Sequence, residues 1–154
     1  MDLGLLVQSF LAALIGTAAM TLSMDTEAVI VGRDRSRTAG KAICALARGV
    51  CRRPMGERTF ELASIWGRWL FGVSWGIALC VLVDPWGIGL PLPWAGAVLF
   101  VLVWGAAQIG PPLITGDRPS LMYGFGPMLI EAWHHLVYAS MSLSALGLMR
   151  WAGG

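Results

Sequence analysis

Charged residues are scarce in this sequence, and it has no stretch in which polar and apolar residues alternate. Asp, Glu, Lys and Arg make up only 13% of its 154 residues, whereas 56% are hydrophobic. So few charges exclude a soluble domain of this size. The lack of alternation excludes a membrane β-barrel, because barrel strands alternate between lipid and lumen. An all-α membrane protein remains.

Four apolar segments are long enough to cross a hydrocarbon layer ~30 Å thick, which takes about 20 residues in a helix. They are residues 3–24, 60–83, 90–109 and 129–148. The sequence therefore predicts a polytopic membrane protein with four transmembrane helices in an antiparallel bundle. Since no repeat or composition change divides the chain, we expect a single domain over residues 1–154, with a basic loop at residues 33–59.

The basic residues are concentrated in one part of the chain. Of eleven Lys and Arg, nine lie between the first span and the early second span: Arg33, Arg35, Arg37, Lys41, Arg48, Arg52, Arg53, Arg58 and Arg68. By the positive-inside rule this loop is cytoplasmic, which predicts a multi-pass protein of the bacterial inner (cytoplasmic) membrane with both termini outside. The lipid bilayer and other membrane-protein subunits are the expected partners. Nucleic acid is not, because no aromatics are interleaved with these charges.

The sequence has only three cysteines, Cys44, Cys51 and Cys80, and their spacing is not that of a zinc site. In a cytoplasmic loop and a membrane span they are expected to be free thiols. No metal-binding residues are predicted. There is also no Ser-His-Asp or Cys-His arrangement and no Gly-rich phosphate loop. We therefore predict no catalytic residue, and a non-catalytic function is favoured over an enzymatic one.

The last apolar segment carries three ionisable residues close together. Glu131, His134 and His135 are related as i, i+3 and i+4, so they share one broad face of a helix. Ionisable groups inside a membrane are costly and usually face a protein interior or a cavity. Because neutral imidazole can bind metals and haem, His134 and His135 are the candidate cofactor-binding residues. The cofactor is left open among haem, a chlorophyll-type pigment and a metal, and the favoured expectation is that none is bound.

The predicted topology places seven polar residues at a similar depth in the membrane: Asp25, Glu27, Arg68, Gln108, Glu131, His134 and His135. The favoured interpretation of this polar cluster is structural, with Arg68 paired to a carboxylate of the first or fourth helix. His135 is expected to face the bundle interior and His134 to face outward, because a helix turns ~100° between them.

The second apolar segment contains Gly72 and Gly76 in a G-x-x-x-G pattern. This pattern is typical of membrane helices that approach one another closely, since glycine has no side chain to separate their backbones. Gly72 and Gly76 are therefore predicted to be helix-packing residues.

Three sequence stretches resemble an uncharacterised family of short, four-helix inner-membrane proteins of bacteria, chiefly actinobacteria. They are residues 16–23 (GTAAMTLS), Trp69-x-Phe71-Gly72-x-x-Trp75-Gly76 and Glu131-x-x-His134-His135-Leu136-Val137-Tyr138. The resemblance covers nearly the whole chain and implies the four-helix fold, but no activity. A His often precedes the second-helix Trp in that family, whereas this sequence has Arg68. The substitution argues against a three-His metal site.

Three functional interpretations are compatible with this sequence. The favoured one is a non-catalytic accessory or structural subunit that packs against a larger membrane complex of the respiratory or photosynthetic type. The first alternative is a membrane protein that binds a metal, haem or chlorophyll-type cofactor through His134 or His135. The second is a small proton-linked transporter, which with four helices would act as an oligomer.

Overall fold

The structure, a computed structural model, describes residues 2–32, 38–51, 56–84 and 86–153, apart from the side chains of residues 48–51. This part of the chain forms five α-helices and one short 3-10 helix and contains no strand. The α-helices are α1 (Leu3–Val31), α2 (Thr38–Cys51), α3 (Glu57–Val83), α4 (Leu92–Thr115) and α5 (Phe125–Gly153), and the 3-10 helix is Ser120–Met122. The predicted all-α class is confirmed.

Three of the described helices, α1, α3 and α4, are long and apolar enough to cross a membrane. Of the four predicted membrane spans, three are therefore supported by length and composition, and the one in α5 is not. With 29 residues, α5 is long enough, since a helix rises ~1.5 Å per residue. Helix α5 is nevertheless less apolar than the other three, because it carries Glu131, His134 and His135 in its first half and several serines in its second.

Helix α1 is bounded by a capped start and a left-handed end. The Asp2 carboxylate accepts a hydrogen bond from the Gly4 N–H at 2.9 Å, which satisfies one of the donors left over at a helix start. At the other end Gly32 has φ 69°, and its N–H bonds to the Ala28 carbonyl. A left-handed glycine of this kind is a common helix terminator. Helix α1 thus continues well beyond the predicted span 3–24.

Helix α4 continues through a pair of prolines at which the sequence predicts its end. It includes Pro111 and Pro112 and ends after Thr115, where Gly116 has φ 74°. Prolines are tolerated in membrane helices because side chains and neighbouring helices satisfy the backbone groups that they free. In the last turn of α4 the Thr115 hydroxyl donates to the Pro111 carbonyl at 2.9 Å. The extra turn carries Ile114 to the end of the bundle where the polar residues lie.

Helix α1 packs extensively against both α5 and α3. A Cβ added to Gly72 of α3 would run into the side chain of Thr17, and one added to Gly76 would lie 3.0 Å from the Cα of Phe10. Later residues of α3 therefore meet earlier residues of α1, so the two helices are antiparallel. The backbones approach closely at both predicted packing glycines.

Helix α5 lies against α1 in the same antiparallel sense and also reaches α3. Gly16 faces Tyr138, and Ser23 faces His134. The hydroxyl of the fully buried Tyr138 donates to the Gly72 carbonyl at 2.7 Å. This bond joins α5 to α3 at Gly72, the residue that faces Thr17 of α1, so the three helices share one packing centre.

Helix α2, which lies within the predicted basic loop, packs onto α3 and α4. Gly40 lies against Phe60 and Ser64, and Gly67 lies against Ile43. Cys44 on α2 and Cys80 on α3 are buried free thiols. Most of the basic side chains of the predicted loop, those at 33, 35, 37, 48, 52 and 53, lie outside the described residues, as does the side chain of Cys51.

Candidate functional site

The one cationic side chain predicted within a span, Arg68 of α3, contacts an acidic residue of α1. Its Nη1 atom lies 3.9 Å from Oδ1 of Asp25, and the two side chains are 15% and 31% exposed. The antiparallel packing of α1 and α3 places these residues at the same level. Arg68 therefore has the carboxylate partner on the first helix that the sequence analysis anticipated.

Beside this pair lies the inner cavity, a space of about 300 Å³ bounded by residues of all five helices. Its polar wall consists of Arg68, Glu131 and His135, and its apolar walls include Met20, Met24 and Phe71. Helix α2 covers one side with Thr38, Ala39, Ala42 and Ile43. The small residues on α2 and α3 let the two backbones approach, which brings α2 over one side of the cavity.

His135 is held in one defined orientation at the cavity wall. It is 8% exposed, and its Nδ1 atom lies 2.8 Å from the backbone carbonyl oxygen of Glu131. A carbonyl oxygen only accepts, so Nδ1 carries the proton and the neutral ring presents Nε2 as an acceptor. Among the described residues, no group forms a hydrogen bond with that Nε2 atom. His135 thus faces the cavity with an available lone pair.

Glu131 is fixed by a relay of polar groups from α4 and the connection after it. The Gln108 amide donates to Oε2 of Glu131 at 2.9 Å. The other end of that amide accepts from the Ser120 hydroxyl at 2.9 Å and the Leu121 N–H at 3.3 Å. Gln108 is thereby held at both ends. The relay ties the segment after α4 to α5 and sets the position of the Glu131 carboxylate.

His134 takes part in a different region, the outer groove between α1 and α5. This groove encloses about 700 Å³ and is lined on α1 by Leu22, Ser23, Thr26, Glu27 and Ile30, and on α5 by Leu129, Ile130, Trp133 and His134. The Ser23 hydroxyl lies 3.0 Å from Nδ1 of His134, and Oε2 of Glu27 lies 4.0 Å from Nε2. The groove thus has apolar walls and a polar floor.

The outer edge of α2 is fastened by an ion pair. Lys41 Nζ lies 3.0 Å from Oδ2 of Asp117, the second residue after α4, with side chains 54% and 45% exposed. An exposed pair of this kind contributes only about 0–1 kcal/mol. Apolar contacts with α3 therefore do more than this pair to hold α2 over the inner cavity.

The seven polar residues predicted to cluster are divided between these two regions. Asp25, Arg68, Gln108, Glu131 and His135 belong to the inner cavity and its immediate surroundings, whereas Glu27 and His134 belong to the outer groove. The helical turn between His134 and His135 is the cause, because it points consecutive side chains about 100° apart. One predicted cluster is therefore two sites.

Sequence reasoning missed Ser23, Tyr138 and the thioethers of the inner cavity. Tyr138 lies on the same helical stripe as Glu131, His134 and His135, at i+3 or i+4 from the histidines, so that spacing could have revealed it. No local sequence pattern indicates a role for Ser23, Met20 or Met24. Their roles follow from the pairing of α1 with α5, which a single sequence does not specify.

Among the described residues, no three His, Cys, Asp or Glu side chains are grouped so that they could hold a metal ion. No protein-family model, curated protein or solved structure matches this chain. The resemblance to four-helix bacterial membrane proteins thus rests on the quoted sequence stretches. The functional argument rests on the inner cavity and the outer groove.

Proposed function

We propose that this protein is a non-catalytic accessory subunit of a larger complex in the bacterial inner membrane, of the respiratory or photosynthetic type. In this proposal the outer groove receives a helix of a partner subunit. The fold is that of a small helical protein whose outward faces are largely apolar, including exposed Ile30, Ile130 and Trp133 beside the groove.

The observation that carries the proposal is the polar floor of the outer groove. Glu27 and His134 lie 4.0 Å apart at its base, under walls of Leu22, Ile30 and Leu129. Lipid tails would fill such a groove with hydrocarbon and offer no hydrogen bond, which is unfavourable next to ionisable groups. A partner helix can fill the groove and also present a polar side chain to its floor, as helices commonly do in membranes.

In the proposed arrangement α5 crosses the membrane together with α1, α3 and α4, in spite of its lower apolarity. Its length of 29 residues is sufficient. Its two histidines are buried against other helices, so they do not face lipid. The concentration of Lys and Arg in residues 33–68 supports a cytoplasmic position for that part of the chain, with both termini outside.

Site-specific photo-crosslinking in the native membrane tests this proposal. A photoreactive amino acid replaces Trp133, which lines the groove and is 58% exposed; the matched control replaces Trp66 of α3, which is 63% exposed and lies outside the groove. We expect one discrete protein adduct from position 133 and none of that mass from position 66. Identical adducts from both positions, or an adduct that is a second copy of this chain, would contradict the accessory-subunit proposal.

The inner cavity favours a second candidate function, the binding of a small ligand. Its volume of about 300 Å³ lies at the lower end of the range for ligand pockets, about 300–1,000 Å³. This size favours a small molecule or an ion over a pigment macrocycle. In a proton-linked transporter, Glu131 and His135 would be the groups that carry the proton, since both line this cavity.

A further inference from the structure

We propose that the inner cavity binds a soft monovalent metal ion, Cu(I) or its analogue Ag(I), through the thioethers of Met20 and Met24 and the Nε2 atom of His135. This proposal is independent of the partner docking proposed for the outer groove, because it involves none of the residues that line that groove.

The two methionines are placed by helix geometry. Met20 and Met24 are four residues apart on α1, so their side chains extend from one face of that helix, and both line the inner cavity. Thioether sulfur is a soft, neutral donor that selects Cu(I) over harder ions such as Mg²⁺. Two thioethers at one cavity wall thus supply the kind of donor that distinguishes this ion.

His135 supplies the third donor in a state that is ready for coordination. Its Nδ1–H donates to the Glu131 carbonyl at 2.8 Å, so Nε2 is the ring atom with an available lone pair on a residue that lines the cavity. Histidines that bind metals almost always donate their other ring N–H to a carbonyl or carboxylate in this way, because the bond fixes the tautomer and the ring orientation. The hydrogen bond to Glu131 therefore prepares Nε2 as a ligand.

The charge of the cavity wall also suits a monovalent cation. Arg68 lies 3.9 Å from the Asp25 carboxylate, so its positive charge is balanced locally. The Glu131 carboxylate lines the same cavity, and the Gln108 amide that bonds to it is neutral. Glu131 is thus the counter-charge for a bound cation, while Phe71, Ile43 and Ile114 surround the site with apolar atoms.

The test is a titration of the protein in detergent with Ag(I). This ion has the same ligand preference as Cu(I) and does not oxidise. The protein is labelled with ¹³C at its eight methionine methyl groups. We expect the signals of Met20 and Met24 to shift and to saturate at one ion per site, while the signal of Met141, exposed on α5, stays unchanged. Methyl signals identify thioether ligation directly, even while the buried thiols of Cys44 and Cys80 are present.

Three variants complete the test. Met20→Leu and Met24→Leu remove sulfur with little change in volume, so the fold is retained, and His135→Gln removes the imidazole. Each should weaken Ag(I) binding at the shifted methyls by about tenfold or more, since even outer-shell changes cost about 10–100-fold. The control Met141→Leu should leave the affinity unchanged. Silver binding without a shift at Met20 and Met24, or equal affinity in His135→Gln, would overturn the proposal.

Discussion

The inner cavity and the outer groove contain adjacent histidines of one helix in opposite chemical settings. At the cavity, Nδ1 of His135 donates to a carbonyl and Nε2 is the acceptor. At the groove, Nε2 of His134 faces the Glu27 carboxylate and Nδ1 lies 3.0 Å from the Ser23 hydroxyl. His135 is thus fixed by a backbone carbonyl of its own helix, whereas His134 contacts side chains of α1.

This difference shows that the surroundings of an imidazole determine what it can bind. The cavity is covered on one side by α2 and is lined by an imidazole and two thioether side chains, which suits an ion. The groove is open along α1 and α5 and presents its polar atoms at the base of apolar walls, which suits a helix. Four predictions follow, in which the variants should disturb the two regions to different extents, beginning with the largest expected effect.

Arg68→Leu should be the most destabilising change, because it leaves the Asp25 carboxylate without its guanidinium partner at the edge of the cavity. Loss of one member of a fully buried pair costs about 3–5 kcal/mol. Here the Asp25 side chain is 31% exposed, so we expect Arg68→Leu to lower the free energy of unfolding by about 3 kcal/mol or less. Unfolding in mixed detergent micelles measures it. Arg150→Leu, at an exposed position near the end of α5, is the control; equal effects would indicate that solvent satisfies Arg68.

Gly72→Ala should come next, and it should affect both regions because it separates α3 from α1. The added Cβ would meet the fully buried Thr17 side chain, which has no space to move into. Overpacking of this kind costs about 1–3 kcal/mol. Gly105→Ala on α4 is the matched control, since its added Cβ meets open space, and we expect it to stabilise the helix by about 0.5–1 kcal/mol. A neutral Gly72→Ala would refute the close packing there.

Exchanging each histidine for glutamine should separate the two regions functionally while changing the free energy of unfolding by only about 0.5–1.5 kcal/mol, the value of a hydrogen bond. His135→Gln should weaken Ag(I) binding and leave the adduct at position 133 intact. His134→Gln should do the reverse, because it alters the floor of the groove. Loss of both properties in both variants would show that the cavity and the groove are one coupled site.

Lys41→Ala should have the smallest effect, below about 1 kcal/mol, since its pair with Asp117 is exposed on both sides. The loss should be measurable only at low ionic strength, where exposed charges are least screened. Unfolding at two salt concentrations provides the comparison. A large loss at both would mean that this pair, and not apolar packing, holds α2 over the cavity.

Much of this organisation could be predicted from local sequence, and the parts that could not depend on contacts between helices. The helical class and the packing role expected of Gly72 and Gly76 follow from composition and spacing. The end of α4 lies beyond the predicted span 90–109, because a membrane helix can continue through prolines such as Pro111 and Pro112. The apolarity of α5 was overestimated, since its histidines were counted as part of a lipid-crossing segment.

The sequence by itself determined that this protein is helical and apolar, and that Glu131, His134 and His135 share a broad face of one helix. These properties depend on composition and on the ~100° turn per residue, which act within a segment. The tertiary structure decided that His135 lines a cavity with Met20 and Met24, and that His134 meets Ser23 and Glu27 in a groove between α1 and α5. Those partners lie about 110 residues away along the chain, and the packing of α1 against α5 brings them together.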